Sequence, residues 1–219
     1  MIRVLLVDDH ELVRTGFRHI LDEAPDIEVV GEASTGEMAL QQVKSKSPDL
    51  VLMDVNMPGI GGIEATRRIR RSHPGVQVIA VTVHSDTPFP TQLHEAGALG
   101  YLTKGCPAEE LFEAIHAVAK CRPFVSADVS KKLAVANMTG EGRDSPFSKI
   151  AAREMQVLML IIQGKKTQDI SDTLCLSPKT ISTYRHRLYE KLGVETDVEL
   201  THLALRYGLM KNEPENAQI

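Results

Sequence analysis

Five short, almost wholly apolar runs, each followed by an amphipathic stretch, constrain the first 120 residues of this chain. The runs are Ile2–Asp8, Ile27–Ala33, Leu50–Met53, Val76–Thr82 and Leu99–Leu102. Between and after them lie His10–Glu23, Gly36–Ser45, Gly62–Ser72, Thr91–Ala96 and Ala108–Lys120. Strands covered by helices on both faces read as continuous apolar runs. Strand and helix in alternation build a parallel sheet. The pattern therefore predicts an α/β unit of (βα)5 type with a five-stranded parallel sheet over residues 1–120. In such sheets the working crevice lies outside the carboxyl ends of the strands.

The pattern changes after Lys120. Residues 121–147 read as a linker, with a short helical piece at Ala127–Asn137 and a polar stretch, Thr139-Gly-Glu-Gly-Arg-Asp-Ser-Pro146. From 148 to 210 the periodicity is helical throughout, which predicts an all-α four-helix unit. Ala151–Gln163 is closed by Gly164, and Thr167–Leu174 starts at a Thr N-cap. Ser177-Pro178, an N-cap with Pro at N1, opens a helix that runs to Leu192 before Gly193. Thr196-x-x-Glu199 is a capping box for a last helix ending at Gly208. Short helices around a tight turn at Cys175-Leu176 suggest a helix-turn-helix. The polar tail 211–219 is expected to fray.

Composition fits two small domains in 219 residues, with 42% hydrophobic and 25% charged residues. The net charge of −4 hides a split. Residues 1–125 carry 12 basic and 17 acidic side chains, whereas 145–193 carry 8 and 4. Two modules with different partners are expected. No apolar stretch reaches the ~18–20 residues of a membrane span. The three cysteines have no C-x-x-C spacing, and an apolar start followed at once by acids predicts no signal peptide. A reducing, cytoplasmic location is expected.

Polar groups end the predicted strands: Asp8-Asp9 after the first, Asp54 after the third, Thr82 after the fourth, and Lys104 shortly after the fifth. In a doubly wound sheet all five fall on one rim. Carboxylates held together need a counter-ion to stay ionised. A hard cation with oxygen ligands, Mg2+, supplies it and accepts phosphate oxygens as well. One carboxylate could then form an acyl phosphate. Lys104 would neutralise the transferred group, and Thr82 would donate a hydrogen bond to it.

In the second unit, Ile181, Tyr184, Leu188 and Leu192 make an inward stripe along 177–192. Lys179, Ser182, Thr183, His186 and Arg187 fall mostly opposite, flanked by Arg185 and Lys191. One packed face and one face of cations and small hydroxyls suit a major groove. Lys165-Lys166-Thr167 at one helix start, with Ser177 and Thr180 at the next, could bind phosphates.

These residues carry a resemblance. Val7-Asp8-Asp9-His10, Leu52-Met53-Asp54-Val55-Asn56-Met57-Pro58-Gly59, Val81-Thr82 and Tyr101-Leu102-Thr103-Lys104 resemble a response-regulator receiver domain over 1–120. The resemblance implies that Asp54 accepts phosphoryl from a sensor histidine kinase. It implies Mg2+ ligation by Asp9, Asp54 and the Asn56 backbone carbonyl, with Asp8 acting through water. Thr82 and Tyr101 would be the switch pair, Tyr101 turning inward as Thr82 is drawn to the phosphate.

Arg153-Glu154-x-x-Val157-Leu158, Leu176-Ser177-x-Lys179-Thr180-Ile181-Ser182-Thr183-Tyr184-Arg185 and Lys191-Leu192-Gly193 resemble the helix-turn-helix of the LuxR/FixJ/NarL class over 148–210. The resemblance implies base contacts from Ser182, Thr183 and His186 and phosphate contacts from Lys179, Thr180 and Lys191 on double-stranded promoter DNA. Pairing through Asp197–Tyr207 would involve Val198, Leu200, Thr201 and Ala204 in a homodimer formed on phosphorylation. The recognition helix is often masked against the receiver in this class. Asp86-Thr-Pro-Phe-Pro90, Asp144-Ser-Pro-Phe147 and Leu174-Cys-Leu-Ser-Pro-Lys-Thr180 are closer still to the GacA/UvrY/LetA subgroup of global regulators. The subgroup implies a hybrid kinase donor and the promoters of small regulatory RNA genes as targets.

Two departures stand out. Pro88 and Pro90 are expected to delay the fourth helix to Pro90 or Thr91. Ala151 stands where a Ser or Thr N-cap is usual, with Ser148 a possible substitute. Two other readings stay open. An aspartyl-phosphate phosphatase would carry a second acid where Asn56 stands. A receiver-bearing adaptor would bind protein through its helical unit.

Overall fold

The computed structural model describes residues 1–82, 89–127, 129–131, 146–174, 176–207 and 209. Of residues 89–91, 148, 149 and 152 it describes the backbone alone. Six parallel strands form one sheet: β1 Ile2–Val7, β2 Ile27–Ala33, β3 Leu50–Asp54, β4 Gln77–Thr82, β5 Gly100–Thr103 and β6 Phe124–Val125. Their order is β2-β1-β3-β4-β5-β6.

The apolar runs become strands because each side chain finds a helix on its own face. Along β1, Val4 and Leu6 enter one cluster with Leu21 of α1 (Glu11–Asp22) and Ile115 of α5 (Ala108–Ala119). Leu5 and Val7 enter the opposite cluster with Val43 of α2 (Gly36–Lys46) and Ile69 of α3 (Gly61–Ser72). Asp54 is the last residue of β3 and pairs in register with Val81 of β4, which sets the acidic rim at the carboxyl edge.

The sheet differs from expectation by one strand. The sixth comes from the stretch read as linker. Phe124 N–H donates to Leu99 O, and Ser126 N–H to Tyr101 O, each at 3.1 Å. The returning chain thus satisfies the free backbone edge of β5, an edge that would otherwise be left unpaired. Helix α4 starts at Phe89, one residue ahead of expectation, and runs to Glu95. Pro90 sits in its first turn, where a missing N–H costs nothing. Residues 127 and 129–131 are helical, as expected. The remainder of Ala127–Asn137, the polar stretch to Ser145, Val83–Pro88, Cys175, Gly208 and the tail lie outside the described residues.

The second unit holds α6 Ala152–Ile162, α7 Thr167–Leu174, α8 Pro178–Leu192 and α9 Asp197–Arg206. Ser177 Oγ caps α8 by accepting from Thr180 N–H, and Thr196 Oγ1 caps α9 by accepting from Glu199 N–H. At α6, Ala151 has no side chain to offer, so Glu154 takes over and accepts from Ala151 N–H at 2.9 Å. Ile181 and Leu188 of α8 are fully buried against α6.

The two units share one apolar cluster. Val55, Ile63, Ala80, Leu93 and Tyr101 of the sheet unit join Phe147, Ile150, Met155 and Leu158 of the helical unit. Gln92 Nε2, on α4, donates to Ile150 O at 3.0 Å across this boundary.

Gly62 ties the fold to the rim. Its N–H donates to Val55 O, and a Cβ there would overlap the Asp54 carbonyl and stand 2.9 Å from Val55 Cα. Gly62→Ala is expected to displace the Asp54 backbone and cost about 1–3 kcal/mol, read as a thermal midpoint several degrees lower by circular dichroism. An unchanged midpoint would mean that α3 shifts freely.

Candidate functional site

The strand ends bring Asp8, Asp9, Asp54, Thr82 and Lys104 to one rim. Lys104 Nζ stands 2.7 Å from Asp8 Oδ2 and 3.0 Å from Asp54 Oδ2, so one ammonium bridges two carboxylates. Lys104 is aimed there because its own N–H donates to Thr82 O at 2.8 Å, which ties the turn after β5 to the end of β4. Ligand atoms of Asp8, Asp9, His10 and Asp54 lie within 4.8 Å of one another. Asn56 N–H donates to Asp54 Oδ1 at 3.2 Å and fixes that carboxylate's orientation.

Asp54 is 2% exposed and Asp8 4%. Burial pushes the Asp54 carboxyl up to about 6, with Lys104 pulling it down and Asp8 adding to the rise. The Lys104 ammonium is held above its ordinary value, because its hydrogen bond to Asp8 and the charge of Asp54 outweigh the burial that opposes them. Asp9 Oδ1 is buried without a hydrogen-bond partner, although His10 Nδ1 lies 3.0 Å away. Three carboxylates gathered this closely, one of them with an oxygen that accepts no hydrogen bond, are a donor set that suits a hard cation.

Of the switch pair, Thr82 is fully buried and Tyr101 is 4% exposed. The Tyr101 ring belongs to the cluster that continues into the helical unit. Its burial is therefore shared between the sheet unit and the helical unit.

The helical unit separates its predicted contacts into two sets. Lys179, Ser182, Thr183, His186 and Arg187 are all exposed along α8, and Lys165 and Lys166 are exposed before α7. In this state Ser182 and Thr183 donate back to Pro178 O and Lys179 O, each at 3.0 Å. Thr180 Oγ1 lies 2.8 Å from Ser177 Oγ. Lys166 N–H donates to Asp169 Oδ2 at 3.2 Å, which uses one donor at the start of α7; Thr167 there is half-buried.

Arg185 and Lys191 are engaged within the domain. Arg185 Nη1 is 3.5 Å from Asp197, and Lys191 Nζ is 2.6 Å from the buried Glu154. Leu200 and Ala204 are fully buried in the helical core. They are packing residues, which leaves Val198, 64% exposed, and half-buried Thr201 as the surface positions among the four residues expected to pair.

The two units dock through α6, and the outer face of α8, which the class often masks, is exposed. Arg153 Nη1 donates to Gly59 O, and Gln156 Nε2 donates to Met57 O at 3.4 Å. Sequence reasoning missed Gln92, Gln156 and this use of Arg153, because nothing local marks a polar residue that serves a distant backbone carbonyl. It also missed Glu37, whose carboxylate accepts from Ile60 N–H at 2.9 Å and holds the other end of the same loop.

Because burial lifts the folded Asp54 carboxyl from 3.8 to about 6, the folded state binds more protons than the unfolded one in that window. Stability then falls as pH rises through it. Without divalent cations, Asp54→Asn is expected to be the more stable protein at neutral pH, by at most about 3 kcal/mol. The difference should shrink toward zero below pH 3.8. Thermal midpoints of both proteins across this range check it, and a pH-independent difference would contradict it.

Residues 4–116 match the model of the response regulator receiver domain, and 148–204 match that of bacterial regulatory proteins of the luxR family. Response regulator GacA of Pseudomonas viridiflava is 49% identical over 210 residues, covering 96% of this chain and 98% of its own. Response regulator UvrY of Escherichia coli strain K12 is 47% identical over 218 residues and covers both chains fully. Among solved structures, RcsB of Salmonella enterica serovar Typhimurium bound to promoter rprA in the presence of phosphomimetic BeF3- has a TM-score of 0.68. It is 26% identical and spans 92% of this chain and 97% of that one. With a receiver module and a luxR-type helical module both matched, and full-length relatives near half identity, this chain belongs to the response regulators that carry a luxR-family DNA-binding domain.

Proposed function

We propose that this chain is a phosphorylation-switched transcription regulator, with a receiver over 1–120, a connecting segment over 121–147 and a DNA-binding domain over 148–210. The single observation that carries this reading is the Lys104 ammonium shared between Asp54 and Asp8, with the Asp9 carboxylate beside them. Asp54 is the phosphoacceptor. The N–P bond of a phosphohistidine on a sensor kinase breaks and an O–P bond to the Asp54 carboxylate forms, while the ring nitrogen keeps the bonding pair. Asp9, Asp54 and the Asn56 carbonyl would hold Mg2+, with Asp8 acting through water. The ion supplies charge neutralisation to the carboxylates and the phosphoryl oxygens.

The chain's own groups convert that chemistry into a switch. The phosphoryl group brings roughly 1.5–2 negative charges to a buried point. Lys104 turns from Asp54 Oδ2 toward the new oxygens, and Thr82 donates its hydroxyl. Turning a 1:99 equilibrium to 99:1 needs about 5.5 kcal/mol of differential interaction, a size that a desolvated ion pair and a charge-assisted hydrogen bond can reach together. Movement at Thr82 is passed to Tyr101, whose cluster reaches the helical domain.

That domain reads double-stranded promoter DNA with α8. Ser182, Thr183 and His186 meet base edges. Lys165, Lys166, Thr167, Lys179, Thr180 and Arg187 meet phosphates, and Arg185 and Lys191 join them only on release from their carboxylate partners. A solved relative bound to promoter DNA with a phosphomimetic supports this assignment. A homodimer formed on phosphorylation would use Val198 and Thr201. No described helix is long and apolar enough to cross a membrane, which is consistent with the proposed cytoplasmic location. From the resemblance to the GacA/UvrY/LetA subgroup, the targets are promoters of small regulatory RNA genes.

Incubation with acetyl phosphate and Mg2+ should add about 80 Da, one phosphoryl group, to the intact mass. The adduct should be absent from Asp54→Ala, and one that survives that substitution refutes the acceptor. Lys179→Ala should weaken binding to all DNA sequences about equally and reduce the log–log salt slope by ~1. Fluorescence anisotropy across salt concentrations reads this, and an unchanged slope removes Lys179 from the phosphate-contacting face.

A further inference from the structure

The face of the helical domain that docks on the receiver is also a wall of the phosphorylation site. A cleft of about 330 Å3 separates the domains beside the carboxylate rim. Asp9, His10 and Asn56 line one wall, and Gln156, Leu160 and Thr173 line the other. Two hydrogen bonds hold the walls together at the loop that follows Asp54, from Arg153 to Gly59 O and from Gln156 to Met57 O. A third, from Gln92 to Ile150 O, and the shared apolar cluster close the flank.

Resting on the reading of Asp54 as phosphoacceptor, we propose that the docked DNA-binding domain is a size filter over that residue. It admits small phosphodonors through the cleft and excludes a protein-borne phosphohistidine until the domains part.

The dimensions set the filter. At ~30 Å3 per water, the cleft has room for about ten waters, so a small acyl phosphate can enter it. A phosphohistidine on a protein arrives on a helix ~10–12 Å across. The surface around that helix must also cover ~800 Å2 of the acceptor for a specific contact. The rim that would receive it is faced by α6 and α7. The same arrangement leaves the outer face of α8 exposed, so the closed state limits charging of the receiver rather than access to DNA. Domain separation must then precede transfer from a protein donor. The observed rate is the open-state rate scaled by the fraction of molecules that are open. Acetyl phosphate meets no such requirement.

The test compares the full-length wild type with Gln156→Ala, which removes one cross-domain bond from the helical side, and Gln92→Ala, which removes another from the receiver side. Each is phosphorylated with acetyl phosphate and, separately, with a phosphorylated histidine phosphotransfer domain of a hybrid sensor kinase, and the rate of Asp54 modification is read by intact mass. The double variant should accept phosphoryl from the protein donor roughly tenfold faster, the change expected from losing two hydrogen bonds. Its rate with acetyl phosphate should stay within about twofold of the wild type, and each single variant should give a smaller acceleration in the same sense. Equal protein-donor rates in wild type and variants, including no transfer in any, overturn the filter. Equal acceleration with both donors overturns it too, since that places the effect on the loop's chemistry. No adduct from acetyl phosphate on the wild type overturns the acceptor assignment itself, an outcome distinct from either.

Discussion

One ammonium shared by two buried carboxylates organises this molecule. Asp8 and Asp54 stand at the ends of neighbouring strands, and Lys104 Nζ lies within 3.0 Å of both. A lysine balances one of these charges, so burial still lifts Asp54 to about 6. The rim is therefore short of positive charge in the free protein. That shortage is why the rim suits a hard cation, and in the proposed reading it is why an arriving phosphoryl group would rearrange Lys104 rather than merely join it. The sheet has to be parallel for this to happen, because only parallel strands deliver all their carboxyl ends to one edge.

The second domain is joined to that rim through the core. The cluster that buries Tyr101 runs on into Phe147, Ile150 and Met155, so apolar packing is continuous from Tyr101 into the helical unit. Densely packed interiors respond to small shifts by changing between discrete arrangements rather than by deforming smoothly. The coupling needs no long path, since the loop after Asp54 hands its own carbonyls to Arg153 and Gln156. The exposed basic side of α8 lies elsewhere on its domain, which separates the proposed DNA-reading surface from the docked one.

Much of this was legible along the chain. The strands sit within a residue of their apolar runs, since a strand buried on both faces can tolerate little else. The caps at Ser177 and Thr196 form as their side chains dictate. The misses share one cause, which is that composition does not name a partner. The two-residue strand at Phe124 exists because the edge of β5 needs a neighbour. Leu200 and Ala204 form the apolar stripe of α9, and a stripe alone does not say whether it packs on its own domain or on a second copy. Arg185 and Lys191 look like their exposed neighbours until Asp197 and Glu154 come into reach.

The amino-acid order alone determined the α/β architecture, the acidic rim and the basic helix, because periodicity and strand-end chemistry are local properties that survive in one dimension. It determined which residues could carry a phosphoryl group and which could face a nucleic acid. The tertiary structure alone decided how the two domains meet, which cations are already paired, and where the ring of Tyr101 lies. These depend on groups distant along the chain, 94 residues in the case of Arg153 and the carbonyl of Gly59, whose encounter is set by packing of the whole molecule.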